Sequence, residues 1–306
     1  NNDKDKPKTT TSGDNASFRF WDMDVGTATV ARYLPDGDET NDLFWVERQV
    51  VKLPFDGVVG GDFPTNKKVE VTVPCMNMFG MECPIQAETK PLWKGSPAEV
   101  ATARIYWKKR SFIFQGFKVS SSVEENEPEN PIRKWVINKS IYDIIYNSLM
   151  DPEFTMLPTD YEQGRDFKIT KTKQGEYANY GTSNWSMAGP RSLSDFERDA
   201  IDKYGLFDLK QSLGPKPDAD GIEAIKAMFK DSIDGNPFDM ESYGKYYRPY
   251  MNSNDSASSN SETSTTPIRE LKEDAAPEKP QQQATADTSK QRADDIIARL
   301  RAKSNN

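Results

Sequence analysis

The most cationic segment of the chain, residues 104–119, interleaves positive side chains with aromatic rings. It contains no acid, and its cations are Arg104, Lys108, Lys109, Arg110 and Lys118. On one unbroken strand, a single face would present Tyr106, Lys108, Arg110, Phe112 and Phe114. Such a face offers rings on which bases stack and cations that pair with phosphates. The segment therefore indicates a surface for single-stranded nucleic acid, although an ordinary amphipathic strand with its rings in the core has the same pattern.

A second segment, residues 165–180, repeats this combination of lysines and rings. Its lysines are Lys168, Lys171 and Lys173, and its rings include Phe167, Tyr177 and Tyr180. A solvated edge strand is the alternative interpretation, because lysines on the edge of a sheet block aggregation. Two such segments in one chain favour a nucleic-acid binder.

The residue types exclude most enzymatic mechanisms. The chain has no histidine and only two cysteines, Cys75 and Cys83, which excludes Ser-His-Asp, Cys-His and His-ligated zinc sites. Neither a Walker loop nor a dinucleotide fingerprint occurs. The net charge of −8 would repel phosphates if it were spread evenly over the chain. The acids instead cluster in turns such as residues 36–39 and 124–129, which leaves other surfaces positive. We therefore expect a binding protein rather than an enzyme, with no cofactor.

Short β-rich runs with turn signals between them predict an α+β fold. Strands are expected at residues 27–34, 43–53, 67–73, 101–119 and 165–173, the fourth as one long strand or a hairpin. Helices are expected at residues 138–150, 194–205 and 221–233. Asn138 can cap the first helix, and Ser194 with Glu197 fits a capping box for the second. Several short strands without βαβ alternation favour a small closed or half-closed barrel, for which an oligonucleotide-binding barrel is the natural candidate.

Composition divides the chain into four parts. Residues 1–17 are expected to be a flexible N-terminal segment, and residues 18–250 form the core. Residues 251–288 hold almost no large apolar side chain, which predicts a disordered linker. Residues 289–306 carry a narrow apolar stripe with basic flanks, which predicts a partner-binding helix or, alternatively, a frayed tail. No apolar run is long enough to span a membrane and no secretory signal is present, so we expect a cytoplasmic protein without membrane contact.

Four motifs, taken in order, resemble the single-stranded DNA-binding, or helix-destabilising, protein of T-even-type bacteriophages. The motifs are ATVARYLP at residues 28–35, WKKRSF at 107–112, PEN at 128–130 with the helix after it, and FKITKTKQGEYANY at 167–180. The resemblance covers about residues 26–200. It implies a partly open five-stranded oligonucleotide-binding (OB-fold) β-barrel, a small zinc-ribbon-like subdomain around residues 54–98, and packed helices around 192–233.

The resemblance also implies a cleft in which cations bind the phosphate backbone and aromatic rings bind the bases. Its DNA-binding residues carry over to Arg32, Lys108, Lys109, Arg110, Phe112, Phe167, Tyr177 and Tyr180. The local pattern adds Arg104, Tyr106, Trp107, Lys168, Lys171 and Lys173.

The function implied is sequence-independent binding and protection of single-stranded DNA during phage DNA replication, recombination and repair, in the cytoplasm of the infected bacterial host. The partners implied are single-stranded DNA, phage replication and recombination proteins that bind the C-terminal tail, and further copies of the chain that associate cooperatively on DNA. The open alternative is an OB-fold module for protein interaction or RNA binding, with no DNA role.

The zinc site is the main departure from the family. The family holds zinc with one histidine and three cysteines, whereas this chain has no histidine and places Gln86 where the last thiolate would stand. Two thiols with an amide make a poor zinc site. We therefore expect the zinc-ribbon-like subdomain to have lost its metal, with its loop held by Met76, Met78, Phe79 and Met81 instead.

Overall fold

A computed structural model describes residues 16–62 and 64–249 of the chain. The predicted linker at residues 251–288, the predicted helix at 289–306 and nearly all of the N-terminal segment at 1–17 lie outside the described residues. Within them the chain forms eleven strands and six α-helices, with short 3-10 helices between. None of the helices in this part of the chain is both long and apolar enough to cross a membrane.

The strands are β1 (Ala28–Leu34), β2 (Trp45–Phe55), β3 (Val58–Val59), β4 (Val69–Pro74), β5 (Lys109–Ser120), β6 (Ile132–Asn138), β7 (Phe167–Thr170), β8 (Thr172–Gln174), β9 (Tyr177–Asn179), β10 (Asn184–Trp185) and β11 (Phe238–Asp239). The helices are α1 (Pro84–Thr89), α2 (Pro97–Ile105), α3 (Lys139–Met150), α4 (Asp195–Tyr204), α5 (Ala219–Asp234) and α6 (Met240–Tyr243).

A seven-stranded antiparallel sheet forms the centre of this α+β fold, in the order β10-β7-β1-β5-β2-β4 with β6 paired to β5. The twelve-residue strand β5 organises the sheet. Its first half pairs with β2, its second half pairs with β1, and β6 lies along its other edge. The residues from Ser111 to Phe117 are all buried, as a mostly apolar run at the centre of a sheet requires. No ladder joins the outer strands of the described sheet, so it is open rather than a closed barrel.

The main core lies between one face of the sheet and α3. Strand residues such as Tyr33 and Trp135 belong to this core together with the buried residues of the helix. The prediction of a helix at residues 138–150 is confirmed, because Asn138 Oδ1 accepts the backbone N–H of Ile141 at 3.0 Å and caps the helix. One face of α3 buries Ile141, Ile145 and Leu149, which anchors the helix on the core.

A second core lies at the far end of β2. Strands β2 and β4, the loop that carries the two cysteines, and helices α1 and α5 meet there around Val73, Cys83 and Phe229. Helix α4 packs elsewhere, in a third cluster with Leu34 and Phe117. Its predicted capping box is confirmed, since Ser194 and Glu197 bond reciprocally at its first turn. The two predicted helices around residues 192–233 therefore serve different parts of the fold.

The expected strand over residues 101–119 is wrong in its first part. Residues 97–105 form α2, and the strand begins only at Lys109. The carboxylate of Glu99 accepts the backbone N–H of Ser96 at 2.6 Å, while Ser96 Oγ accepts that of Glu99 at 3.4 Å. This capping box, with Pro97 at the first helical position, starts the helix. The strand prediction missed it because that prediction rested on the aromatic residues that follow the helix.

Candidate nucleic-acid interface

The three consecutive cations at residues 108–110 lie where β5 begins, beside β2. Lys109 is exposed, and Lys108 is half-buried with its Nζ donating to Gln49 Oε1 at 3.0 Å. The guanidinium of Arg110 donates twice to the carboxylate of Glu47, at 2.5 and 2.9 Å. These charges therefore stand at the rim of the sheet, outside the core.

Two tryptophans meet next to these cations. The rings of Trp93 and Trp107 pack edge to face, with centroids 5.3 Å apart and planes at 86°. Trp107 keeps 37% of its surface exposed, and Trp93 is half-buried. Arg104, on the last turn of α2, is exposed one turn before Trp107. Edge-to-face packing leaves ring surface on which a third ring can stack.

The segment that carries both rings is strongly basic. Within three residues of one ring or the other lie Lys90, Lys94, Arg104, Lys108, Lys109 and Arg110. We call the two tryptophans and these six cations the tryptophan patch. Residues 90–110 contain only one acid, Glu99, and its carboxylate is held by Ser96 in the capping box. Among the described residues no acid pairs with Lys90, Lys94, Arg104 or Lys109. Residues 90–110 therefore carry a local charge of +5 in a chain of net charge −8.

Sequence reasoning missed part of this patch. Trp93, Lys90 and Lys94 lie on a 3-10 helix at Lys90–Lys94, outside both basic segments named from the sequence. In a 3-10 helix residues i and i+3 are eclipsed, so Lys90 and Trp93 share one side. The signal was present in the five letters KPLWK, two lysines around a tryptophan without an acid.

Phe112 cannot stack on a base in this structure, which corrects its assignment. It is almost fully buried, and the ring of Tyr142 on α3 covers it in parallel, with centroids 3.5 Å apart and planes at 3°. The Arg110 guanidinium lies 5.4 Å from the Phe112 centroid. Tyr142 and Tyr146 lie one helical turn apart on α3, and both are only half-buried. The partly accessible rings at this place therefore belong to α3, whereas the ring of Phe112 on β5 is covered.

Tyr106 and Arg32 are also corrected from DNA contacts to structural residues. Tyr106 is buried in the second core, where its ring meets Phe229 edge to face at 5.1 Å and its hydroxyl lies 3.1 Å from Ser232 Oγ. The helix α2 directs it there, whereas an unbroken strand would have placed it on the same face as Phe112.

Arg32 has no exposed surface. Its guanidinium lies 3.6 Å from the carboxylate of Asp166 and donates to the backbone carbonyls of Asp160 and Arg191 at 2.7 and 3.1 Å. Burial lowers the pKa of Arg32, and the neighbouring charge of Arg191 lowers it further against the opposing effect of Asp166. A phosphate cannot reach this cation without local unfolding.

The second predicted segment divides into exposed and structural residues. Lys168 on β7 is exposed, as is Lys173 on β8, whose Nζ lies 3.8 Å from Glu176. Tyr177 on β9 is 42% exposed. Lys171 instead donates to the backbone carbonyls of Trp21 and Met23 at 2.8 and 2.7 Å and fastens the 3-10 helix at Phe20–Asp22 to the sheet.

Phe167 and Tyr180 belong to the main core, which corrects their assignment as stacking residues. Phe167 is fully buried, with its ring edge to face on Trp185 at 4.9 Å. Tyr180 packs edge to face on Phe20 at 5.8 Å, and burial raises the pKa of its hydroxyl to about 12. Alternation on β7 explains the split, because Phe167 and Ile169 face inward while Lys168 faces outward.

The two basic segments lie at opposite ends of β5. Val30 on β1 pairs with Lys168 on one side and with Ser120 on the other. Ser120 is ten residues beyond Arg110 on the same strand. At a rise of about 3.3 Å per residue, up to roughly 33 Å separates the two levels. A ligand that touched both segments would have to be several nucleotides long.

The two thiols lie in the second core. Cys75 and Cys83 are buried, and their side chains hydrogen-bond to each other. The Cys75 thiol, with help from backbone groups of Gln86, lowers the pKa of Cys83 against the effect of burial. The same bond and burial raise the pKa of Cys75.

This pair does not fit a structural zinc ion. The amide nitrogen of Gln86 donates to the carbonyl of Tyr106 at 3.0 Å. The Gln86 side chain therefore already links α1 to the residues that lead into β5. No group of three or more acids, cysteines or histidines suited to a metal occurs in the described part of the chain. Two thiols supply only half of the ligands that a tetrahedral zinc ion needs.

No protein-family model matches the chain, and a search of the curated proteins finds no significant relative.

Proposed function

We propose that this protein binds single-stranded DNA through the tryptophan patch, without regard to base sequence. The observation that carries the proposal is the contact of Trp93 with Trp107 in a segment, residues 90–110, that holds six cations and a single acid, Glu99. Base stacking on aromatic rings is tolerant of sequence because every base has a π face. Cations beside the rings can pair with the phosphates that link the bases.

The charge distribution supports this function despite the acidic chain. A polyanion experiences the local field of a groove rather than the net charge of the protein. Some acids are engaged away from the patch, as Glu125 is with Lys118 and Arg133, and Glu47, which does lie at the patch, is paired with Arg110. Contacts between the patch and phosphates release counterions, so binding should weaken as the salt concentration rises.

The OB-fold belongs to the same proposal. One long strand, β5, is shared by β1 and β2 along one edge and by β6 along the other, and α3 follows β6 directly. A partly open barrel built around a shared strand would have this pairing, although the described sheet is not closed. In this proposal the zinc-ribbon-like subdomain corresponds to the second core around residues 54–98, stabilised by α5 instead of a metal.

The exposed residues at the other end of β5 extend the interface. Lys168, Lys173 and Tyr177 would contact nucleotides beyond those at the tryptophan patch. A footprint of several nucleotides agrees with the separation of the two ends and with the site sizes of OB-folds, about 4–16 nucleotides.

The biological role follows from the resemblance and is part of the proposal. The protein would coat and protect single-stranded DNA during phage replication, recombination and repair in the host cytoplasm, associate with its own copies on DNA, and recruit replication proteins through its tail. Deleting residues 286–306 should leave oligonucleotide affinity nearly intact and abolish pull-down of purified replication partners. Loss of DNA affinity with the partners retained would place the tail in the DNA-binding surface instead.

A salt titration tests the DNA-binding function directly. Binding of oligo-dT, oligo-U and duplex DNA is measured from low to high salt, on the wild-type chain and on Lys108→Ala/Lys109→Ala. We expect preference for single strands over duplex, and a variant whose log–log salt slope is flatter by about 1.4, the value for two lost phosphate contacts. Lys203→Ala/Lys210→Ala removes the same charge from lysines paired with Glu129 and Asp38 and should leave the slope unchanged.

Other outcomes would select the alternatives. Preference for oligo-U over oligo-dT would indicate an RNA-binding module, because only the 2′-hydroxyl separates the two backbones at such contacts. No binding to any nucleic acid at low salt would leave a protein-interaction module. Equal slopes for the two double variants would remove the tryptophan patch as the binding surface.

A further inference from the structure

We infer that Glu47 is a built-in competitor of the DNA backbone, whose carboxylate occupies the place on Arg110 that a phosphate takes when DNA binds. The inference rests on the proposed function and adds to it a residue that sets the strength and salt dependence of binding. Glu47 lies on β2, outside both segments that the sequence points to.

The contact between the two side chains has the geometry of phosphate recognition. Arg110 Nε lies 2.5 Å from Glu47 Oε1, and Arg110 Nη2 lies 2.9 Å from Glu47 Oε2. Two parallel N–H···O bonds from one guanidinium edge are the arrangement by which arginine binds both carboxylates and phosphates. The two anions therefore compete for the same edge of the same cation.

The carboxylate is held in this position by its neighbours. Gln49 Nε2 donates to Glu47 Oε1 at 2.9 Å, and Lys108 Nζ donates to Gln49 Oε1 at 3.0 Å. Glu47 and Gln49 are two residues apart on β2 and so share a face, and Gln49 pairs with Arg110 across the ladder. A chain of hydrogen bonds thus joins Lys108 to Arg110 and engages two of the six cations of the tryptophan patch.

Exchange of the carboxylate for a phosphate is feasible because the pair is accessible. The side chains of Arg110 and Glu47 are 37% and 24% exposed. Burial alone would lower the pKa of Arg110, but the hydrogen bonds and charge of Glu47 outweigh that effect and raise it. Arg110 therefore remains charged, and only the partner anion changes when DNA arrives.

The consequence is a threshold for binding. An incoming backbone must displace Glu47 before it gains Arg110, and the displaced carboxylate then lies near the phosphates. Partly exposed ion pairs of this kind change equilibria only modestly. Glu47 therefore weakens binding without abolishing it and lowers the number of counterions released per bound strand.

Glu47→Gln tests the inference, because the amide keeps the shape and can still accept a hydrogen bond but carries no charge. We expect oligo-dT to bind about 1.4- to fivefold more tightly at low salt, the range that exposed ion pairs support. We also expect the salt slope to steepen by up to about 0.7, because in the wild-type chain the displaced carboxylate takes up a cation and offsets the counterion that Arg110 releases from one phosphate. The melting temperature of each variant is measured to establish that it is folded.

Two further variants make the result specific. Glu162→Gln removes a carboxylate from another arginine pair, with Arg198 at 2.8 Å near α4, and changes net charge equally. In an Arg110→Gln background, Glu47→Gln should no longer tighten binding, since the cation it releases is absent. Equal gains from Glu47→Gln and Glu162→Gln, or a gain that persists without Arg110, would overturn the inference.

The design also separates this inference from the proposed function. If Lys108→Ala/Lys109→Ala weakens binding and flattens the slope while Glu47→Gln has no effect, DNA binding stands and Glu47 is not a competitor. If the lysine variant has no effect on binding, the tryptophan patch fails as the binding surface and the role of Glu47 fails with it.

Discussion

Trp93 and Trp107 meet edge to face at 5.3 Å although thirteen residues, the whole of α2 among them, separate them in the chain. Helix α2 packs against the 3-10 helix at Lys90–Lys94, which brings Trp107, two residues after α2, into contact with Trp93. The capping box of Ser96 and Glu99 at the start of α2 therefore contributes to the geometry of the ring pair. The proposed stacking surface depends on a local helix rather than on the sheet.

Removing the more exposed ring should weaken DNA binding without changing its salt dependence. Trp107→Ala is expected to cost about 1–3 kcal/mol of binding free energy with oligo-dT, the usual value of one stacked base. The salt slope should stay the same, because stacking releases few counterions. Phe196→Ala, which truncates a ring that is 67% exposed on α4, is the matched control and should bind like the wild-type chain. Unchanged affinity in Trp107→Ala would mean that the two rings only pack on each other.

Arg32 and Arg104 should behave in opposite ways when each is replaced by methionine. Arg32→Met leaves Asp166 with Arg191 alone and should lower the free energy of unfolding by roughly 3 kcal/mol in urea, as removal of a buried ionic partner does. The salt slope of DNA binding should not change. Arg104→Met should leave stability unchanged and flatten the slope by about 0.7. A stable Arg32→Met protein with a flatter slope would restore Arg32 as a DNA contact.

The two buried thiols should titrate one after the other. The folded state lowers the pKa of Cys83 and raises that of Cys75, so the first proton leaves more readily than in the unfolded chain and the second less readily. The Cys83 contribution to stability is present above the ordinary thiol pKa, about 8.5, and is lost as the pH falls through the lowered value. The Cys75 contribution is present below about 8.5 and is lost as the pH rises above it.

The free energy of unfolding should therefore pass through a maximum near the ordinary thiol pKa. The check is a urea titration across pH on the wild-type chain and on Cys83→Ala, whose curve should lose this maximum. Thiolate ultraviolet absorbance should show one thiol titrating below the ordinary value and the other above it. Two thiols that titrate together at the ordinary value would contradict the prediction.

A chelator should leave the fold intact. The second core offers zinc only two thiols, and the amide of Gln86 is already hydrogen-bonded to Tyr106. We therefore expect purified protein to contain substoichiometric zinc and to keep its melting temperature when metal is removed. Zinc at one ion per chain, with unfolding on chelation, would show that the cysteine loop binds metal with ligands other than Gln86.

The sequence by itself determined the features that depend only on neighbouring residues, namely helix starts, the alternation of faces on a strand, and local charge. The helix at 138–150 begins at Asn138 because an asparagine oxygen satisfies the first exposed N–H groups, and α4 begins at Ser194 for the same reason. Alternation on β7 places Lys168 on the face opposite Phe167 and Ile169. The basic, ring-bearing character of residues 104–110 is equally a property of the letters, as is the shortage of zinc ligands.

Only the tertiary structure decided which of the predicted rings and cations are accessible. An aromatic residue in an alternating strand sequence can either stack on a base or pack into the core, and the sequence alone does not distinguish the two. In this fold the core buries Phe112, Phe167 and Tyr180. Arg32 is covered because β1 lies at the centre of the sheet, beneath Asp160 and Arg191 from distant parts of the chain. Trp93 joins Trp107, and Glu47 reaches Arg110, through contacts between segments far apart in sequence. Accessibility and such pairings depend on how whole elements pack, which no short stretch of residues encodes.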